Sequence, residues 1–162
     1  MIKSMSREEL LGKNVLYADN IGEAFEQYPS RVISGKKEEL YQFLKCVCEK
    51  NKDQAYADFY YGDLPRENKA KFDEGLSEHE KEVLNQFEIE KKREFYPLTE
   101  EGLEFLAEIT AKEWLFSTFY FGDKELTVWG NYGLKYPVFS SDEGILLDYM
   151  KLAEECGLEI RE

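Results

Sequence analysis

Two aspartates in matching pentapeptides are the residues of this chain best placed to do chemistry. Phe59–Asp63 reads FYYGD and Phe119–Asp123 reads FYFGD, sixty positions apart. If equivalent strand ends bring Asp63 and Asp123 together, the pair could hold a hard cation or divide acid and base roles. Gly-Asp is also what tight turns demand, and the turn reading is preferred. The second copy is expected to close a hairpin. The first runs into Leu64-Pro65, which cannot continue a paired strand.

Other chemistry is sparse. No phosphate-binding glycine loop, dinucleotide fingerprint or nucleophile elbow is present. The segment SEHEKE contains His79, the only histidine, without the second histidine that a zinc-protease helix needs. Cys46 and Cys48 lie two apart on a predicted helix, and Cys156 is distant in sequence, so the three read as reduced thiols. No catalytic residue, metal ligand or cofactor is assigned on these grounds. Lys91-Lys92-Arg93 is placed near a helix C-terminus, where the dipole favours positive charge.

The bulk properties narrow the class. A chain of 162 residues suits one globular domain, residues 1–162, with 43% hydrophobic and 34% charged residues. The start lacks the apolar core of a signal peptide and no run is long enough to span a membrane, so a cytoplasmic, membrane-free protein is expected. The net charge is −13, divided as −3 over residues 1–81 and −10 over residues 82–162. That balance argues against nucleic acid, which needs a basic face, and toward a basic protein partner steered onto the C-terminal half.

The elements that must position these residues follow from periodicity. Ser34 is expected to cap a helix carrying Leu40, Phe43, Leu44 and Val47, and Ser77 with Glu80 forms a capping box. Thr99 opens a helix with Leu103, Leu106 and Ile109 inward. Ser141 opens another carrying Ile145, Leu146, Tyr149, Leu152 and Ala153, with Gly157 beyond its end. Short helical turns are expected after Ser6, over 21–27, and from Pro65 to before Gly75. Strands are expected near 54–61, 114–121, 124–130 and 133–139. The fold class is therefore α+β: a small, mostly antiparallel sheet packed on one face by about four main helices.

Three of the four prolines follow tyrosine, at Tyr28-Pro29, Tyr96-Pro97 and Tyr136-Pro137. Each is read as the exit from an extended segment into a capped helix. Residues 28–63 and 96–123 thus share an order of Tyr-Pro, helix, aromatic strand and Gly-Asp, through duplication or through convergent use of the same connections.

A two-residue Gly122-Asp123 loop would pair Phe119 with Leu126 and Thr118 with Thr127. Leu115, Phe119, Phe121, Leu126 and Val128 then form a core face, while Tyr120, Glu125 and Trp129 share the other. Either a helix covers that second face or it is a binding surface. With eleven tyrosines and two tryptophans available, the binding reading names Tyr60, Asp63, Tyr120, Asp123, Glu125 and Trp129. In size, acidity and aromatic content the chain resembles bacterial immunity proteins, a likeness of bulk properties that implies no residue roles. The leading expectation is a non-enzymatic protein-binding module, an immunity or inhibitor protein for a basic partner such as a nuclease toxin. The alternatives are a metal-dependent or carboxylate enzyme using Asp63 and Asp123, and a self-associating structural module.

Overall fold

The computed structural model describes residues 1–162. Along the chain lie α1 (Arg7–Leu11), α2 (Ile21–Gln27), β1 (Ser30–Ser34), α3 (Lys37–Lys50), β2 (Ala55–Asp58), α4 (Arg66–Glu74), α5 (Glu78–Leu84), β3 (Phe95–Pro97), α6 (Glu100–Ala111), β4 (Thr118–Phe121), β5 (Leu126–Trp129), β6 (Lys135–Phe139), α7 (Glu143–Glu155) and β7 (Glu159–Arg161). The strands form one sheet in the order β3-β2-β4-β5-β6-β1-β7, with every neighbouring pair antiparallel. The α+β class is as expected, but seven strands make the sheet larger than the small one anticipated. The additions are β1 and the two three-residue edge strands β3 and β7, too short for an alternating pattern to register.

Capping chemistry sets most helix starts. The Ser77 hydroxyl accepts from the Glu80 amide while the Glu80 carboxylate accepts from the Ser77 amide, so the box forms as read. Thr99 caps α6 through the Gly102 amide, and Gly157 ends α7 at φ +94°. Two caps differ from expectation. Lys36, not Ser34, precedes α3, with Glu39 accepting from its amide, because Ser34 is held in β1. Asp142 caps α7 by accepting from the Ile145 amide, and the Ser141 hydroxyl instead donates to the Lys124 carbonyl.

The β4–β5 hairpin also departs from its expected register. Gly122 through Glu125 form a four-residue loop, with left-handed φ at Gly122 (+66°) and Lys124 (+57°). Phe119 therefore faces Val128 and Tyr120 faces Thr127. The shift is two residues, so each side chain keeps its face: Phe119, Phe121, Leu126 and Val128 point into the main core as expected.

That core lies between the sheet and α3 to α7, and includes Ile33, Phe43, Leu44, Phe59, Leu106, Phe119, Val138 and Leu146. The opposite face is covered by the chain's own first 28 residues. Met5, Leu10 and Val15 pack on Tyr56, Phe95 and Tyr120, while Leu16, Ala18 and Ala24 pack on Phe139. The cover is tied down at three places. Ile2 and Met5 bridge to Phe87 and Phe95, Arg93 donates to the Ser4 carbonyl and pairs with Glu9, and Thr127 donates to the Leu16 carbonyl. Arg93 thus clamps the N-terminal segment; it lies well past the end of α5 at Leu84, not beside a helix terminus.

Tyr136-Pro137 is a further correction, because it sits inside β6 and does not leave it. The β5 ladder stops at Val128 opposite Val138, one step short of Pro137, which has no amide hydrogen to offer. The two Tyr-Pro-to-Gly-Asp units are also not equivalent. α3 connects β1 to β2 across three intervening strands, whereas α6 connects β3 to β4 across one. Gly62 lies in a 3-10 turn over Tyr61–Asp63 and Gly122 in the hairpin loop, and only Gly122 is left-handed. The repeated pentapeptide is punctuation of two different kinds.

Candidate functional site

The fold separates the paired aspartates. Ala55 faces Phe121 across the β2–β4 ladder, so Asp123 follows one end of it and Asp63 follows the other. Asp63 is exposed in its turn, and exposed Asp123 accepts a hydrogen bond from the Asn14 amide. Nowhere do three His, Cys, Asp or Glu side chains gather as a metal site.

The second hairpin face, read as either covered by a helix or free to bind, is covered by the N-terminal segment. Tyr120 is only 2% exposed, with Tyr17 stacked on it at 6.1 Å, and half-buried Trp129 packs toward Phe139. Glu125 lies in the loop, accepting from the Tyr149 hydroxyl at 2.7 Å, and that hydroxyl accepts from the Asn51 amide at 2.9 Å. Burial and then the Glu125 contact push the Tyr149 phenol up to about 12. This chain of bonds braces the loop against α3 and α7. Tyr60 remains exposed, as Asp63 and Asp123 do, so three of the six proposed binding residues reach the surface, Tyr60 and Asp63 at one end of the β2–β4 ladder and Asp123 at the other.

Asp58, which lies between Tyr56 and Tyr60 in the chain, is 5% exposed and has no cationic partner. It ties β2 to the start of β4, its carboxylate accepting from the Thr118 amide at 2.8 Å and its carbonyl from the Ser117 hydroxyl at 2.7 Å. Burial pushes its carboxyl up to about 7, the Thr118 amide opposes that, and the nearby Glu94 charge adds to it. Perturbed carboxyls mark functional sites often enough to be examined. Here both backbone bonds serve the strand junction.

Free aromatic surface collects at the end of the sheet where β2 stops and β4 starts. The loop from α6 to β4 carries Trp114, 40% exposed, and Phe116, whose ring meets that of Tyr132 at 4.5 Å. Tyr132 is 67% exposed on the β5–β6 turn, where Gly133 and Leu134 both take left-handed backbone. The two loops are joined, since the Gly133 amide donates to Glu113 at 2.7 Å and the Gly130 amide to the Ser117 carbonyl. Trp114 is positioned by an edge contact with Phe72 of α4 at 5.9 Å, close over Gly75, where a Cβ would collide with its ring.

An acidic groove is linked to that tryptophan through Lys112. Between α5 and α6 a cavity of about 370 Å³ is lined by His79, Glu80, Glu101, Glu104, Glu108 and Lys112 among others. Lys112 reaches Glu108 at 3.7 Å and lies 4.7 Å from the Trp114 ring centre, linking groove and aromatic end. Lys37 also pairs with Glu108, but Glu101 and Glu104 form no ion pair. His79 is exposed in the first turn of α5, as its sequence position suggests. The sequence signal for this site was present in the acidic spacing along α6, but helical periodicity drew attention to the inward residues instead. Trp114 is the first residue of an expected strand, 114–121, and carries no mark of exposure.

The cysteines are all free and half-buried. The fold brings Cys156 at the end of α7 beside Cys46 of α3, although 110 positions separate them. Burial pushes the Cys156 thiol up, and Cys46 adds to that, which disfavours the nucleophilic thiolate.

Comparison with protein-family models, with curated proteins and with solved structures finds no match. No helix is long and apolar enough to cross a membrane.

Proposed function

We propose that this chain is a non-enzymatic binding module that docks a basic protein segment along the α5–α6 groove, with Trp114 as the anchor. The reading is supported by a groove whose Glu101 and Glu104 have no ion-pair partner and whose lining residue Lys112 lies 4.7 Å from the ring centre of the exposed Trp114. Unpaired carboxylates steer a cationic partner and set its orientation, while a rigid indole supplies buried area at small entropic cost. Tyr132 and Phe116 continue the apolar surface past the tryptophan. A basic enzyme, masked by this chain acting as an inhibitor or immunity protein, is the partner class that fits this charge, and the net charge of −13 supports long-range attraction.

The test separates anchor from steering. Trp114→Ala should weaken the complex about thirtyfold, the roughly 2 kcal/mol of an aromatic hot spot, chiefly through faster dissociation. Glu101→Gln with Glu104→Gln should slow association several-fold and flatten its salt dependence. Surface plasmon resonance against the captured partner reads both. Equal affinities for all three proteins would remove the groove from the interface.

A further inference from the structure

A second cleft lies at the other end of α6, and its character is opposite. It measures about 670 Å³, within the range of small-molecule sites, and opens where the N-terminal segment, the end of α3 and the start of α6 meet over the β2–β3 edge. Its floor is apolar, built from Met5, Ala55, Tyr56, Pro97, Leu98 and Leu103. Around this floor stand Lys3, Lys13, Lys45 and Lys52. Acidic side chains outnumber basic ones 34 to 21 in this chain, yet none of these four lysines forms an ion pair. Glu49, Asp53 and Glu100 also line the cleft, leaving a net excess of one positive charge in a molecule that is otherwise strongly negative.

We infer that this cleft binds a small amphipathic carboxylate, its apolar body on the Tyr56–Leu98–Leu103 floor and its carboxylate among Lys3, Lys13, Lys45 and Lys52. A purely apolar occupant would leave the four ammoniums without a role. A purely ionic one would leave the floor wet. Long lysine stems suit the task, because their methylenes extend the apolar wall while the charge swings to the head group. Two separate chain segments supply the lysines, so the constellation exists only in the folded protein. The cleft and the acidic groove take different residues of α6, Glu100 and Leu103 here against Glu101, Glu104 and Glu108 there, and the far end of α6 near Trp114 is roughly 18 Å away at about 1.5 Å per residue over its 12 residues.

The experiment uses the full chain with 1-anilinonaphthalene-8-sulfonate as a fluorescent probe, displaced by decanoate or by decanol. The site predicts saturable enhancement at one probe per chain, displaced at least tenfold more effectively by decanoate than by decanol. Lys45→Met with Lys52→Met should weaken probe and decanoate at least tenfold, and so should Lys3→Met with Lys13→Met. These lysines pair with nothing, so circular dichroism should report unchanged folding in both variants. Lys91→Met with Lys92→Met, outside the cleft, should bind as the original chain does. Absence of saturable binding, equal displacement by decanol, or undiminished binding in both cleft variants would overturn the assignment.

Discussion

At the scale of single residues, two polar groups held inside the molecule, Asp58 and Tyr136, work against stability. Asp58 holds its proton to about pH 7 in the folded state against an ordinary value near 3.8. Between those values the folded protein binds more protons than the unfolded chain, so this group's contribution falls as pH rises, and it levels off above 7. Asp58→Asn keeps an acceptor for the Thr118 amide and removes the titration. Urea unfolding should therefore find the variant equal to the original chain near pH 4. The variant should become more stable with rising pH, by up to roughly 4 kcal/mol at pH 8, taking about 1.4 kcal/mol for each pH unit. A difference independent of pH would show that Asp58 is not the titrating group. Tyr136 is the second case: its hydroxyl is buried and finds no hydrogen-bond partner. Removing it with Tyr136→Phe should raise stability by about 1 kcal/mol, read as a higher urea midpoint at constant slope. Neither residue announced itself in the sequence. Asp58 sits in an alternating strand whose outward face would normally be wet, and only the cover laid over that face makes its burial necessary.

At the scale of elements, periodicity and capping carried the reading well, while connections carried it poorly. The helices came through because Ser77, Thr99 and Gly157 fix their ends locally, and the inward stripes of α3, α6 and α7 repeat over several turns. The hairpin faces came through for a related reason, since a slip of two residues preserves side-chain parity. Its loop length did not, because Lys124 takes a left-handed conformation that no glycine marks. The least legible feature was the N-terminal cover. Residues 1–28 hold only two short helices, yet they bury Met5, Leu10, Val15 and Leu16 against the sheet's second face. Leu10 is fully buried there. Leu10→Ala should cost about 2–5 kcal/mol in chemical denaturation, the usual penalty for emptying a well-packed leucine site. A loss under 1 kcal/mol would mean that this cover is not an integral layer of the fold.

At the scale of the whole molecule, charge and exposed aromatics are distributed against each other in a usable way. Acidic residues are in excess in the second half of the chain, and the fold gathers part of that excess into the groove between α5 and α6. Of the aromatic residues named for a binding surface, Tyr60 is exposed but the two on the hairpin are not free. Tyr120 and Trp129 are taken up by the chain's own N-terminal segment, and the exposed indole is Trp114. Which tryptophan is free depends on which segment folds over the sheet, a long-range choice that no local pattern encodes. The most direct test of the proposed docking is a tagged pull-down from the native host's lysate read by native mass spectrometry, run in parallel with the original chain and Trp114→Ala. The account predicts a stoichiometric basic protein on the original chain, released at high salt and largely absent from the variant. A partner retained equally by both proteins, or one that is acidic and insensitive to salt, would contradict it.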